Sequence, residues 1–203
     1  EHGRSVEQLA AAKAILASRD RTMGVQGYAG TGKTTLLRAV LDEATAAGFL
    51  VRGIAPTTGA TEELVRAGLD SRTLASHLAH PGAAPNRELW IVDEASLIAT
   101  RAMADLLRHA DTAGARVVLV GDTRQHSAVE AGAPFRVLQR EGMQTLSLTD
   151  IRRQRNLELR RAVVLAATGS PRSAARMLEA SGAVDEIADW LHRHEAIADA
   201  YVA

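Results

Sequence analysis

With 203 residues the chain is long enough for one substantial core and a small appendage, and its 46% hydrophobic content excludes a globally disordered chain. The absence of cysteine excludes a disulfide framework and thiolate metal sites and suits a reducing, cytoplasmic setting; no run approaches the roughly 18 apolar residues of a membrane span. Basic and acidic residues number 24 each, so no net positive field points to a nucleic-acid partner, and any such reading has to rest on motifs.

Residues 1–19 read as a helix with Val6, Leu9, Ala12 and Leu16 at helical spacing, opened by Ser5 with Gln8 three residues later, the pattern of a capping box. Thr22 to Gln26 is a strand that leads into GYAGTGKTT, and Leu36, Leu37, Val40 and Leu41 mark an amphipathic helix up to Gly48. Phe49 to Ala55 is strand-like and ends in Pro56-Thr57-Thr58-Gly59; Thr61 to Ala67 is helical with Gly68 as its stop. Ser71 to Ala79 reads as a short helix and 81–86 as a loop. Leu89-Trp90-Ile91-Val92 is a buried strand that stops at Asp93-Glu94. Thr100 to Ala113 is helical, Arg116 to Val120 is another apolar strand closed by Gly121-Asp122, and Thr145 to Leu148 is a last strand.

This alternation predicts an α/β fold, a mainly parallel sheet with helices on both faces and ligands at the carboxyl ends of its strands. A boundary is expected near residue 150. Beyond it Arg152, Arg153, Arg155, Arg160 and Arg161 crowd together and Ala-rich helical stretches surround Gly182. The tail stops in mid-helix pattern (Trp190, Leu191, Ile197, Tyr201), so the chain reads as a piece of a longer one.

Gly27-Tyr28-Ala29-Gly30-Thr31-Gly32-Lys33-Thr34 matches G-x-x-x-x-G-K-[ST] and lies between a strand and a helix. Glycines there let backbone N–H groups approach phosphate, and the helix N-terminus adds positive partial charge. Gly27, Ala29, Gly30, Thr31, Gly32, Lys33, Thr34 and Thr35 are thus candidates for binding ATP, with Lys33 on the β/γ-phosphates and Thr34 on Mg²⁺. Asp93, at a strand end, is a second Mg²⁺ ligand, and Glu94 is placed to polarise the attacking water; two acids side by side repel unless a cation sits there. Gly121-Asp122-Thr123-Arg124-Gln125 brings an amide, Gln125, to the same edge, although Asp-Thr is also ordinary turn chemistry. His192-Arg193-His194-Glu195 invites a metal reading, but adjacent helical positions splay apart and a solvated face is the better account.

The set GYAGTGKTT, APTTGA, Thr73-Leu-Ala-Ser-His77, IVDEAS, VGDTRQHSAVEAGAPF and Ile151-Arg-Arg-Gln154 resembles, in order, motifs I, Ia, Ib, II, III and IV of superfamily 1B helicases. It is most similar to the RecD-like motor of TraI/TrwC-type conjugative relaxases. The resemblance implies that residues 1–150 are the ATPase lobe and 151–203 the helical start of a truncated second lobe. It implies that Gln8 reads adenine, against the capping-box alternative, and that Gln125 couples γ-phosphate state to DNA. Arg153, with Arg152 as its rival, would stabilise charge on the transferring phosphate. Pro56, Thr57, Thr58, Thr73 and His77 fall where such motors line a single-stranded-DNA track, although Thr58 as a helix cap and His77 as a half-buried helix residue are sufficient local accounts. Implied partners are single-stranded DNA and the rest of the parent polypeptide. Two other classes stay open: a small-molecule kinase, which should carry an acceptor pocket and lid, and a vestigial module that binds nucleotide and DNA without turnover.

Overall fold

The computed structural model describes residues 6–27, 32–80, 87–123, 132–148, 157–167 and 169–202. They divide into two compact units, Glu1–Arg153 and Gln154–Ala203.

The first unit is built on a six-stranded sheet in which every pairing is parallel. In chain order the elements are α1 (Val6–Ala17), β1 (Thr22–Gly27), α2 (Lys33–Ala46), β2 (Leu50–Ala55), α3 (Thr58–Arg66), β3 (Asp70–Thr73) and α4 (Leu74–Ala79). There follow β4 (Glu88–Val92), a 3-10 turn (Ala95–Leu97), α5 (Thr100–Ala113), β5 (Arg116–Gly121), α6 (Pro134–Arg140) and β6 (Thr145–Leu148). The strands lie in the order β3-β2-β4-β5-β1-β6. Parallel neighbours need crossovers, and the helices that make them cover both faces, which is why the central strands read as continuous apolar runs.

Strand periodicity distributes these side chains between two cores. Leu89 and Ile91 of β4 and Val118 and Val120 of β5 join Met23, Val25, Ile15, Leu36, Val40 and Leu64 under α1, α2 and α3. The alternate residues Trp90, Val92, Val117 and Leu119 join Ile98, Met103, Leu106 and Phe135 under α4, α5 and α6. On α5 the buried residues Met103, Leu106 and Ala110 fall at helical spacing, and Gly114 ends the helix in the left-handed conformation at φ 66° that glycine adopts freely.

One expectation needs correction. Residues 70–73 are a strand, paired with β2 from Arg52↔Asp70 to Ala55↔Thr73, and only Leu74–Ala79 is helical. Asp-Ser-Arg-Thr looks like a helix entry because it is polar on both faces. As an edge strand it pairs on one side only and needs no apolar run.

The second unit holds α7 (Leu157–Ala167), α8 (Pro171–Ala180) and α9 (Trp190–Val202). Pro171 supplies the fixed φ of the first turn of α8, and Asp189 Oδ1 accepts from the backbone N of Leu191 and His192 to open α9. Among the described residues no helix is long and apolar enough to cross a membrane.

Candidate nucleotide site

The phosphate-loop geometry is set from both ends. β1 delivers Gly27, buried between β5 and β6, and the loop closes at Gly32, whose left-handed φ of 78° turns the chain into α2. Lys33 Nζ donates to Gly27 O at 3.2 Å, so the ammonium lies across the mouth of the loop. Thr34 is exposed and Thr35 half-buried on the first turn of α2. Ala29, Gly30 and Thr31 lie outside the described residues. Gln8 is buried on α1, and its Nε2 donates to Gly32 O at 3.0 Å, the carbonyl that also accepts Leu36 N at 3.1 Å. The amide expected either to cap its own helix or to read adenine therefore fastens α1 to the exit of the loop; Ser5, its expected capping partner, lies outside the described residues.

Strand β4 is buried from end to end and releases its chain at Asp93, whose N donates to Ile54 O at 2.9 Å. Asp93 Oδ1 accepts from Glu94 N at 2.8 Å, and Glu94 itself sits at φ 50°, left-handed backbone that a non-glycine residue adopts only under constraint. Burial raises the Asp93 carboxyl above its ordinary range, opposed by the Glu94 N–H and the Lys33 charge. Burial and then the neighbouring Asp93 charge raise Glu94, opposed by the Thr57 hydroxyl and Lys33. Thr57 Oγ1 donates to Glu94 Oε2 at 3.3 Å, a link nothing in the sequence spacing signals.

At the neighbouring strand end, Asp122 is buried and takes a hydrogen bond from Gln26 Nε2 at 3.1 Å, while Gln26 Oε1 accepts from Thr123 N and from Gln139 Nε2, each at 3.3 Å. Sequence reasoning passed over Gln26. Its signal was a lone polar residue in an apolar strand immediately before the glycine turn. Gly121 permits the tight fit here: a Cβ on it would stand 3.0 Å from Ser96 N in the turn that follows Glu94. Gln125 lies outside the described residues, as do Arg152 and Arg153.

Thr57, two residues beyond β2, and Thr73, the last residue of the neighbouring β3, cap the helices that follow, Thr57 Oγ1 accepting from Ala60 N at 3.2 Å and Thr73 Oγ1 from Ser76 N at 3.3 Å. The cap of α3 is therefore Thr57, and Thr58 is the first helical residue, exposed; Pro56 is half-buried. His77 does not fit the track. It is 5% exposed, its ring edge-on to Trp90 at 4.4 Å between centroids and 5.2 Å from His109, so it has no face to offer a base. On α9, His194 Nδ1 lies 2.7 Å from Trp190 O and His192 faces Asp189; among the described residues no group of three or more His, Asp or Glu side chains could hold a metal ion.

A parallel sheet of this order, with a glycine-turned lysine and paired acids at the carboxyl edge, defines a P-loop nucleotide-binding domain of RecA-like fold. An AAA domain family, AAA_30, matches residues 4–189. The conjugal transfer protein TraA of Agrobacterium fabrum is 35% identical over 189 residues, covering 90% of this chain and 17% of that protein. The multifunctional conjugation protein TraI of Escherichia coli strain K12 is 38% identical over 172 residues, 77% of this chain and 10% of that protein. The crystal structure of Pif1 helicase from Candida albicans superposes at a TM-score of 0.67 with 19% identity, over 87% of this chain and 47% of that one, a likeness of fold. The chain belongs to the AAA_30 family of AAA domains and spans less than a fifth of the length of these conjugation relatives.

Proposed function

We propose that this domain is the Mg²⁺-dependent, ATP-hydrolysing lobe of a motor that moves along single-stranded DNA in the cytoplasm, within a longer conjugation polypeptide. The observation that carries the reading is the convergence of Lys33, Asp93 and Glu94, close enough for the lysine charge to act on both carboxylates. The donor set fits a hard divalent cation: Thr34 and Asp93 offer oxygen ligands, and two acids disfavoured in their charged forms by burial, Glu94 also by the Asp93 charge, are relieved by positive charge. Mg²⁺ held by Thr34 and Asp93 would neutralise charge on the β- and γ-phosphates. Lys33 binds the same phosphates from the loop, and Glu94 takes the proton of the attacking water. Gln8 braces the loop next to the adenine end. Gln125 and Arg153 couple hydrolysis to movement, and Thr57, Thr58 and Thr73 carry the DNA backbone through hydroxyls and amides, with Pro56 lining the same track by its ring, consistent with a chain of no net charge. Residues 1–150 would form the ATPase lobe and 151–203 the start of the second.

The test is steady-state phosphate release by the polypeptide that contains this domain, with and without oligothymidine. DNA-stimulated release, abolished by Lys33→Ala, is the expected result. Equal rates with and without DNA, together with transfer of phosphate to a small acceptor, would replace this reading with a kinase. Nucleotide binding without turnover would replace it with a recruitment module.

A further inference from the structure

Gln26 stands at the last step of β1 before Gly27, half-buried, where β1 runs between Gly121 of β5 and Ser147 of β6. Strand alternation sends Val25 into the core under α1, α2 and α3 and Gln26 to the opposite face, where α6 lies. There its amide serves three groups at once. Oε1 accepts from Thr123 N and from Gln139 Nε2, each at 3.3 Å, which occupies both of its lone pairs, and Nε2 donates to Asp122 Oδ1 at 3.1 Å. Thr123 is held from the other side as well, its carbonyl accepting from Arg136 Nη2 at 2.7 Å. Both backbone polar groups of Thr123 are thus tied, one to β1 and one to α6. The backbone neighbour of Gln26 is Gly27, whose carbonyl accepts from Lys33 Nζ at 3.2 Å. A single residue therefore joins the root of the phosphate loop to the turn that closes β5, and its bond to Gln139 fastens α6 to the same point.

We infer that Gln26 is a positioning residue for hydrolysis. Its amide sets the Asp122–Thr123 turn at a fixed distance from the phosphate loop, and the chain that continues from Thr123 starts from that point. Gln125, two residues further on, depends on that start to meet the γ-phosphate. Only an amide suits the place. A carboxylate would face that of Asp122 with no hydrogen between them, and an apolar side chain would leave the Thr123 N–H and the Gln139 amide without their acceptor. This inference rests on the function proposed above and adds a residue to the machinery of the same site.

The experiment measures ATP turnover by the full polypeptide, with saturating oligothymidine, for wild type, Gln26→Met, Gln26→Glu, Asp122→Asn, the double variant Gln26→Glu/Asp122→Asn, and Arg136→Ala. Methionine keeps the length and bulk without a strong donor or acceptor. The double variant reverses the direction of one hydrogen bond, the new amide donating to the new carboxylate, and keeps both acceptor contacts. The expected result is a kcat lowered roughly tenfold to a hundredfold in Gln26→Met and Gln26→Glu, the order of loss when a group at the site is misplaced by about 1 Å, with the KM for ATP unchanged. The double variant turns over faster than Gln26→Glu, and Arg136→Ala, exposed on α6, loses about threefold to tenfold. Wild-type kcat in Gln26→Met overturns the inference, as does a loss confined to KM or a double variant whose loss is the product of the two single losses. Urea unfolding gives the folded fraction of each protein, and a kcat loss that vanishes per folded molecule overturns it too. If the Gln26 variants do not fold, wild-type kcat in Arg136→Ala overturns it. A wild-type protein without turnover overturns the function proposed above and this inference with it, whereas turnover in wild type left unaffected by Gln26→Met overturns this inference alone.

Discussion

His77 makes the stability of this domain depend on pH in a calculable way. The side chain is 5% exposed and, among the described residues, neither ring nitrogen has a hydrogen-bond partner. Burial, then the charges of His109 on α5, Arg72 on β3 and Arg52 on β2, lower its pKa from 6.5 to about 4, against the opposing pull of Glu88 on β4. The ring is therefore neutral in the fold and takes up a proton more readily when the chain unfolds. Since the unfolded state binds more protons between pH 6.5 and about 4, stability from this group is complete above pH 6.5 and drains away as pH falls through that window. Each pH unit of the gap is worth about 1.4 kcal/mol, so the whole comes to at most about 3.5 kcal/mol, a large part of an ordinary domain's stability. Replacing His77 by Leu, of similar bulk and without titration, removes the term while every carboxylate still titrates in both proteins. Urea unfolding at pH 7.5 and pH 4.5, followed by circular dichroism, should show wild type losing about 2–3 kcal/mol more than His77→Leu on acidification. Parallel losses in the two proteins would refute the reasoning.

Three further outcomes follow from the site and the sheet. Lys33→Ala should abolish measurable ATP affinity in calorimetric titration, because Lys33 supplies the full positive charge in a loop otherwise made of neutral amides; unchanged affinity would contradict the assignment. Glu94→Gln should keep MgATP binding and lose at least ~10²-fold in turnover, the usual cost of losing a general base, as read by single-turnover phosphate release. At Gly53 a Cβ would stand 2.2 Å from Ser71 Oγ, whose own bond to Leu69 O is 3.0 Å, so Gly53→Ala should destabilise by about 1–3 kcal/mol. The double variant with Ser71→Gly should recover most of that loss, and simple additivity of the two single changes would show that the contact is not the cause.

The sequence was most legible where one local signal decided the outcome. The helix Thr100–Ala113 and the strand Thr145–Leu148 lie where periodicity placed them, because each has an unmixed apolar pattern and, for the helix, a left-handed glycine just beyond its end. The elements that flank the glycine-rich loop, β1 and α2, and the end of β4 at Val92 were legible for the same reason: strand, turn and helix signals sit within a few residues of one another. What stayed hidden depends on partners distant along the chain. Asp70–Thr73 is a strand only because β2 lies beside it, and His77 is a core residue only because Trp90 and His109 close over it. Thr57 and Thr58 are indistinguishable as hydroxyls in sequence; geometry gives Thr57 both the cap and the bond to Glu94. Gln26 looked like one more strand residue until Asp122, Thr123 and Gln139 were seen to meet on its amide.

The strand order has a consequence for synthesis. β1, which leads into the phosphate loop, leaves the ribosome well before its two neighbours, β5, ending at Gly121, and β6, ending at Leu148. Until β5 has emerged this apolar strand waits without a partner on either edge, and until β6 follows one edge stays open; at about 5–20 residues per second the wait lasts many seconds. The nucleotide loop is therefore shaped only after β5 and β6 have been made, although it is made long before either. Pairings across such long separations also slow folding after synthesis. A nascent chain halted before Gly121 should be protease-sensitive around β1, and ATP, which can engage only the finished loop, should give protection only to chains that extend past Leu148 and have cleared the ribosomal exit.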